Sequence, residues 1–250
     1  MADFLKRDLH THTCFSDGAN TPEEMIQAAI DLGMSEIGIS DHSYLSFDCD
    51  YTLQADRLDD YKTEILRLKE KYKDKIEVRL GIEQDYFSDF PAEGYEYVIG
   101  SVHYVKADGV CYAVDNTPEI MEEAAAAFGG DYYALAESYF ETVADVVNKT
   151  NCDIIGHFDL LSKFNEHYHL FDESDPRYIK AWQKAADRLI ETGKPFEINT
   201  GAISRGYRTD AYPSKAMRAY IKARGGKFIL SSDSHRKDTL MYAFAIFSDY

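Results

Sequence analysis

The feature that most constrains the fold is the regular alternation of short β-rich runs with amphipathic helical stretches. SEIGIS, IEVRLGIE, YEYVIGSVHYV, CDIIGHFDLL, PFEINT and KFILSSDSH read as strands, following a first strand that runs into HTH. Between them lie helices. Thr21-Pro-Glu-Glu24 is a helix start: Thr21 caps, Pro22 suits the first turn and Glu24 completes a capping box. Met25, Ala28, Ala29 and Leu32 then share one face, and Gly33 ends the helix. Leu53 to Tyr72 reads as one long helix, and Pro118 to Lys149 as one or two, broken near Gly129-Gly130. Pro176 to Thr192 and Pro213 to Arg224 complete the set, each closed by glycine. Strand–helix alternation predicts a mostly parallel sheet, and this many units predicts closure into an α/β barrel. No linker, low-complexity tract or repeat divides the chain, so residues 1–250 read as a single domain.

The strand ends carry the chemistry. The first run delivers His10 and His12, the second Asp41-His42, the third Glu83 and the fourth His103. The fifth carries His157, the sixth Asn199-Thr200, and the seventh Asp233-Ser234-His235. A single histidine in such a place is ordinarily a satisfied core or loop residue. Metal-competent side chains at six of seven strand ends are another matter. In parallel α/β barrels active sites assemble at that end. Side chains at i and i+2 of a strand share a face, so His10 and His12 can grip one cation together. Imidazole and carboxylate ligands without thiolates suit zinc, iron or manganese.

Composition narrows the partners. The formal charge of −17 opposes a phosphate-backbone partner, so no nucleic acid is expected. The excess acid is spread along the chain as a solvated surface, and it is compatible with several metal ions inside. No apolar run reaches membrane-spanning length, so no membrane is expected. Cys14, Cys49, Cys111 and Cys152 form no C-x-x-C pair, and MADFLKRDLH holds no secretory signal. These features predict reduced thiols in a cytoplasmic protein. Cys14 reads as a packed thiol without a paired base, His167 and His169 as surface residues, and Trp182 as core. One or two of the tyrosines are expected to line the pocket. The oligomeric state is not legible.

The set HTHTCFSDG, SDHS, GIEQDY, IGSVHYV, IGHFDLL and SSDSH resembles the polymerase and histidinol phosphatase (PHP) superfamily over nearly the whole chain. The resemblance implies a distorted (β/α)7 barrel with a metal site of two to three ions at the C-terminal ends of the strands. Carried over by motif, His10, His12, Glu83 and Asp233 hold one metal. Glu83 bridges to a second, held also by His103 and His157, and Asp17, His42 and His235 hold the third. A sharper resemblance, to the histidinol-phosphate phosphatases of this superfamily, rests on YVIGSVHYV, IIGHFDLLSKFN and FEINTGAISRGY followed by YPS. It implies hydrolysis of L-histidinol phosphate, a small-molecule phosphate ester of histidine biosynthesis, by a metal-bridging hydroxide. It also implies a longer closing helix than a chain ending at Tyr250 supplies.

Arg205, past the sixth strand, is the candidate phosphate-binding cation, and Lys163 is a second one. Arg208 reads as solvated. Asp41 is expected to orient a neighbouring ligand, and the general acid stays unassigned. Other phosphatases of the superfamily, acting on phosphotyrosine or nucleotides, remain open. A polymerase-associated exonuclease is opposed by charge and by the lack of a polymerase. An amidohydrolase is opposed by the absence of a strand-end lysine, and a non-catalytic metal-binding module by the absence of any lost ligand.

Overall fold

Strands buried on both faces, alternating along the chain with amphipathic helices, set the architecture. The computed structural model describes residues 6–249; residues 1–5, where the sequence reads no leader, and Tyr250 lie outside the described residues. In chain order the elements are β1 (Arg7–Asp8), α1 (Pro22–Asp31), β2 (Glu36–Ile39), α2 (Leu58–Tyr72), β3 (Glu77–Asp85), β4 (Tyr97–Ser101), β5 (Tyr104–Ala107), β6 (Val110–Ala113), α3 (Pro118–Ala127), α4 (Tyr132–Val143), α5 (Val146–Thr150), β7 (Ile154–Ile155), α6 (Asn165–Tyr168), α7 (Pro176–Glu191), β8 (Phe196–Asn199), α8 (Gly201–Ser204), α9 (Lys215–Ala223) and β9 (Phe228–Ser231). Seven strands form one parallel sheet in the order β1-β2-β3-β4-β7-β8-β9. The sheet nearly closes as a barrel. Beyond the ladder, Thr11 bridges Ser234: the His12 N–H donates to the Ser234 carbonyl at 2.8 Å and the Ser234 N–H to that of His10 at 3.2 Å. The buried Asp8 carboxylate accepts from the N–H groups of Ser232 and Met241, each at 3.1 Å, across the same seam.

Each strand turns one row of side chains outward to helices and one inward. Ile37, Ile39, Val78, Leu80 and Ile82 pack against Met25, Ile26 and Ala29 of α1 and Tyr61, Ile65 and Leu68 of α2. Ile155 and Phe196 pack against Tyr139 and Phe140 of α4 and Tyr178 of α7. Trp182 is in that core, as expected. The capping box of α1 is present: the Thr21 hydroxyl accepts from the Glu24 N–H, and Glu24 accepts from the Thr21 N–H at 2.9 Å. The inward row on β3 is Arg79, Gly81, Glu83 and Asp85. Arg79 pairs with Glu36 at 3.3 Å toward one end of the barrel. Above this pair Leu9, Tyr97, Ile99, Ile154 and Ile229 form the interior cluster.

Several sequence readings change. CDIIGHFDLL is a strand only over Ile154–Ile155, and its end enters a 3₁₀ turn over Leu160–Ser162. YEYVIGSVHYV is not one strand: β4 stops at Ser101, and β5 leaves to pair antiparallel with β6. The hairpin turns on Asp108-Gly109, both at positive φ (49° and 86°), the pairing that a two-residue turn of this twist favours. The second helix begins at Leu58, after a 3₁₀ turn over Ala55–Arg57. The 118–149 region holds three helices, with the break at Gly129-Gly130 as read. No helix of the described residues is long and apolar enough to cross a membrane.

Tyr97 fills the barrel only because its neighbours lack a Cβ. A Cβ on Gly81 would lie 2.2 Å from the Tyr97 ring, and one on Gly38 would lie 2.0 Å from its hydroxyl. Gly81→Ala should therefore cost about 1–3 kcal/mol by overpacking, read as a lower urea midpoint. An unchanged midpoint would mean that Tyr97 has room to move.

Candidate metal centre

Glu83 is the middle of the site. Its side chain is 1% exposed, on the inward row of β3. Oε2 faces His42 Nδ1 at 2.7 Å, His10 Nε2 at 3.3 Å and His12 Nε2 at 3.6 Å. Oε1 faces His157 Nε2 at 2.9 Å and His103 Nε2 at 3.4 Å. One carboxylate thus meets five imidazoles carried by the turns after four different strands, β1, β2, β4 and β7. His10 and His12 share a face of the chain leaving β1, as the i, i+2 argument requires. Their ring centroids are 5.1 Å apart.

Two further carboxylates flank this centre. Asp233 Oδ1 lies 3.2 Å from His12 Nε2 and 3.7 Å from His10 Nε2. Its backbone takes a φ of 51°, a conformation aspartate tolerates better than most residues, and the chain then turns to bring in His235. Asp17 Oδ2 lies 3.2 Å from His235 Nε2, and Oδ1 lies 3.7 Å from His42 Nε2 and 3.9 Å from His12 Nδ1. His12, Asp17, His42 and His235 form one group whose donor atoms lie within 4.8 Å of one another. His10, His12 and Glu83 form a second, and His42, Glu83 and His103 a third.

The electrostatics are those of a cluster built around cations. Burial pushes the His10 imidazole down, but Glu197, Glu83 and Asp233 outweigh it and hold it well above the usual histidine range. Burial, then His235 and His42, holds His12 well below that range. Burial would raise Glu83, yet His42, His10 and His103 hold it well below the usual carboxylate range. Asp233 is likewise held low, by Arg205 and His10 against its burial. His10 Nε2, both nitrogens of His12 and Glu83 Oε2 are buried without a hydrogen-bond partner. Buried polar atoms are rarely left so. Buried imidazole nitrogens and a carboxylate oxygen that converge without hydrogen-bond geometry fit metal ions, and the imidazole–carboxylate set fits zinc, iron or manganese.

Two orienting groups escaped the sequence reading. Glu197 Oε1 accepts from His10 Nδ1 at 2.7 Å, and Oε2 accepts from the His157 N–H at 3.0 Å. Asp85 accepts from His103 Nδ1 at 2.9 Å. Each turns the Nε2 of its histidine toward Glu83. The signal was available: Asp85 is two residues past Glu83, and Glu197 two residues before Asn199, each on the inward face. The sixth strand thus contributes through Glu197, whereas Asn199 Oδ1 only accepts from the Gly201 N–H at 2.9 Å.

Other expectations are redrawn. Asp41 touches none of these histidines by hydrogen bond. It accepts from the Thr13 N–H and hydroxyl, both at 2.8 Å, and from Ser16, so it holds the turn that carries Asp17. Burial pushes its carboxyl up to about 6. Arg208 is not solvated. It is 5% exposed, 3.6 Å from the buried Asp159 carboxylate and 4.9 Å over the Tyr212 ring. A buried carboxylate needs a cation, and the two meet only in the folded chain. Cys14 is exposed rather than packed, because Thr13 takes the inward side toward Asp41. His167 and His169 are exposed, as read.

A cavity of about 310 Å³ opens over the cluster. Arg205 lines it, with Nη2 3.0 Å from Asp233 Oδ2 and Nη1 3.0 Å from His235 Nδ1. Lys163 lines it too, donating to the Asp115 carbonyl at 2.6 Å.

Known proteins share this plan. A Deinococcus radiodurans protein named "Probable histidinol-phosphatase" is 32% identical over 258 residues, covering 98% of this chain and 91% of that protein. The crystal structure of the HisK protein of Listeria monocytogenes superposes with a TM-score of 0.85 at 21% identity, covering 97% of this chain and all of that one. Histidinol phosphate phosphatase from Lactococcus lactis, crystallised with Zn, L-histidinol and phosphate, superposes with a TM-score of 0.74 at 23% identity, covering 98% and 93%. These superpositions establish the distorted barrel fold. The PHP domain family matches residues 8–201, and this chain belongs to that family.

Proposed function

We propose that this chain is a metal-dependent phosphomonoesterase, a single-domain cytoplasmic enzyme that hydrolyses L-histidinol phosphate to L-histidinol and inorganic phosphate. The observation that carries the reading is the convergence of five imidazoles on the buried Glu83 beneath a cavity lined by Arg205. Full-length similarity to proteins named for this activity supports the substrate. The four free cysteines suit a reducing compartment.

The residues would hold two to three ions. His10, His12, Glu83 and Asp233 would take one, and Glu83 with His103 and His157 a second. Asp17, His42 and His235 would take a third. Zinc, the metal of the Lactococcus lactis relative, is the first to test. Bound there, such ions supply Lewis-acid charge to the phosphoryl oxygens and lower the pKa of water toward about 7.

The chain's own groups do the rest. Glu197 and Asp85 fix the tautomers of His10 and His103. Arg205 presents a planar guanidinium fork suited to phosphate oxygens, steered by Asp233. Lys163 adds a second positive charge to the cavity wall. Asp41 holds the Thr13–Ser16 turn and so the position of Asp17.

The direct test is phosphate release from L-histidinol phosphate, phosphotyrosine and nucleotides, after chelation and reloading with zinc, manganese or iron. Chelation should abolish turnover and reloading restore it. Histidinol phosphate should lead in kcat/KM by roughly 100-fold, about 2.7 kcal/mol in transition-state binding. A different leading ester would overturn the substrate while leaving the metal centre in place. Arg205→Ala should lower kcat/KM on the order of 100- to 1,000-fold with metal content unchanged by elemental analysis. Unaltered turnover would remove Arg205 from phosphate binding. Glu197 accepts from three donors: His10, His157 and the Asn199 amide. Glu197→Gln sets a donor against one of them and should weaken metal retention roughly 10- to 100-fold in a chelator competition. Full retention would show that the cluster does not depend on this carboxylate.

A further inference from the structure

We infer that Asp48 is the specificity-determining residue for the leaving group, taking the ammonium of an amino-alcohol phosphate; this rests on the phosphatase reading above. Asp48 lines the same cavity as Arg205, on the β2–α2 connection. It is not a stray surface carboxylate. The Tyr104 hydroxyl donates to its Oδ2 at 2.8 Å, and the Tyr51 hydroxyl lies 2.8 Å from that of Tyr104. Both tyrosines line the cavity, as does Tyr207, so three stand where one or two were expected. Tyr51 stands edge-on to His42, with centroids 4.9 Å apart, so it forms the wall between the metal-site histidines and Asp48. Phe47 packs edge-on to the Tyr104 ring at 5.1 Å. The carboxylate is thereby tethered beside the cavity through one oxygen.

The two carboxylates that line the cavity away from the metal cluster differ in what they already hold. Asp115 is engaged by Lys163, whose Nζ lies 3.3 Å from Oδ2. Among the described residues, no lysine, arginine or histidine pairs with Asp48; its partner is the Tyr104 hydroxyl. A carboxylate left uncompensated in a cavity that must admit a phosphate dianion repels the substrate, unless the substrate brings its own cation. L-Histidinol phosphate carries an ammonium next to the ester carbon. Nucleoside monophosphates do not. Asp48 therefore favours the first over the second by charge, while Arg205 and the metal centre hold the phosphate they have in common.

The test compares metal-loaded wild type, Asp48→Asn, Asp48→Glu and Tyr104→Phe on L-histidinol phosphate and on phenyl phosphate, whose leaving group carries no cation. Binding of L-histidinol itself is measured by calorimetry. In Asp48→Asn the preference for histidinol phosphate over phenyl phosphate should fall on the order of 10- to 100-fold, with L-histidinol binding weakened in parallel. Asp48→Glu should regain part of it. Tyr104→Phe keeps the carboxylate but loses the tether, and should lose a smaller share in the same direction. A preference retained in Asp48→Asn, or equal losses on both esters, overturns the assignment. Wild-type enzyme inert on histidinol phosphate but active on other esters overturns the functional reading, and the ammonium site with it.

Discussion

Everything in this molecule is arranged around one buried carboxylate. Glu83 lies inside the barrel, out of reach of bulk water, where an isolated charge would cost several kcal/mol or give up its ionised form. It stays ionised because imidazoles crowd both of its oxygens. Those imidazoles cannot all be protonated so close together, as the opposite shifts of His10 and His12 make plain. A metal ion takes an imidazole in its neutral form, so ions bound here would displace the protons that hold His10 above its usual range and would compensate Glu83 in their place. The barrel supplies the geometry, since each parallel strand ends at the same rim and contributes there one or two inward side chains.

That rim stands on a fitted floor. Tyr97 spans the interior beneath the cluster and donates to the Leu9 carbonyl, which belongs to the same segment as His10. Gly38 and Gly81 leave it the room. Gly81 is two residues before Glu83 on the same face, so the strand that makes space for the floor also lifts the central carboxylate above it. The seam between β9 and β1 does comparable work from the other side. There the bonds that join His10 and His12 to Ser234 fix the spacing between the first pair of histidines and the Asp233–His235 turn. Positioning of the site and closure of the barrel are one set of hydrogen bonds.

Much of this was legible in the sequence, and the reason is periodicity. Parallel strands buried on both faces write themselves as apolar runs, helices as spaced apolar positions with caps, and strand-end histidines as breaks in that pattern. What the pattern hides is pairing at a distance. Glu197 looks like an ordinary polar residue in a strand until His10 is found against it from the far end of the chain. Arg208 sits in a polar loop and reads as solvated, yet it neutralises Asp159 in the interior. β5 is hidden because Tyr104-Val105 continues the run YEYVIGSVHYV without a turn residue, and β6 lies beyond that run. Asp41 sits beside His42 in sequence but turns to the Thr13–Ser16 backbone, since successive residues of an extended chain face opposite ways.

The charge of the cavity argues for what must occupy the cluster. A phosphate ester approaches a chain of net charge −17 against long-range repulsion, screened beyond roughly 8–10 Å at ordinary salt. Inside that distance only local cations can reverse the sign. Arg205 and Lys163 are the cavity's arginine and lysine, and neither is uncommitted: Asp233 holds the first and Asp115 the second. In the proposed phosphate site each would bring direction and hydrogen bonds more than net positive charge. In the proposed function the positive charge that binds and activates a phosphate dianion is that of ions held by the histidine–carboxylate cluster itself. The acidic ligand set around Glu83, a liability for an anionic substrate when taken alone, becomes a phosphate site through the ions it can hold.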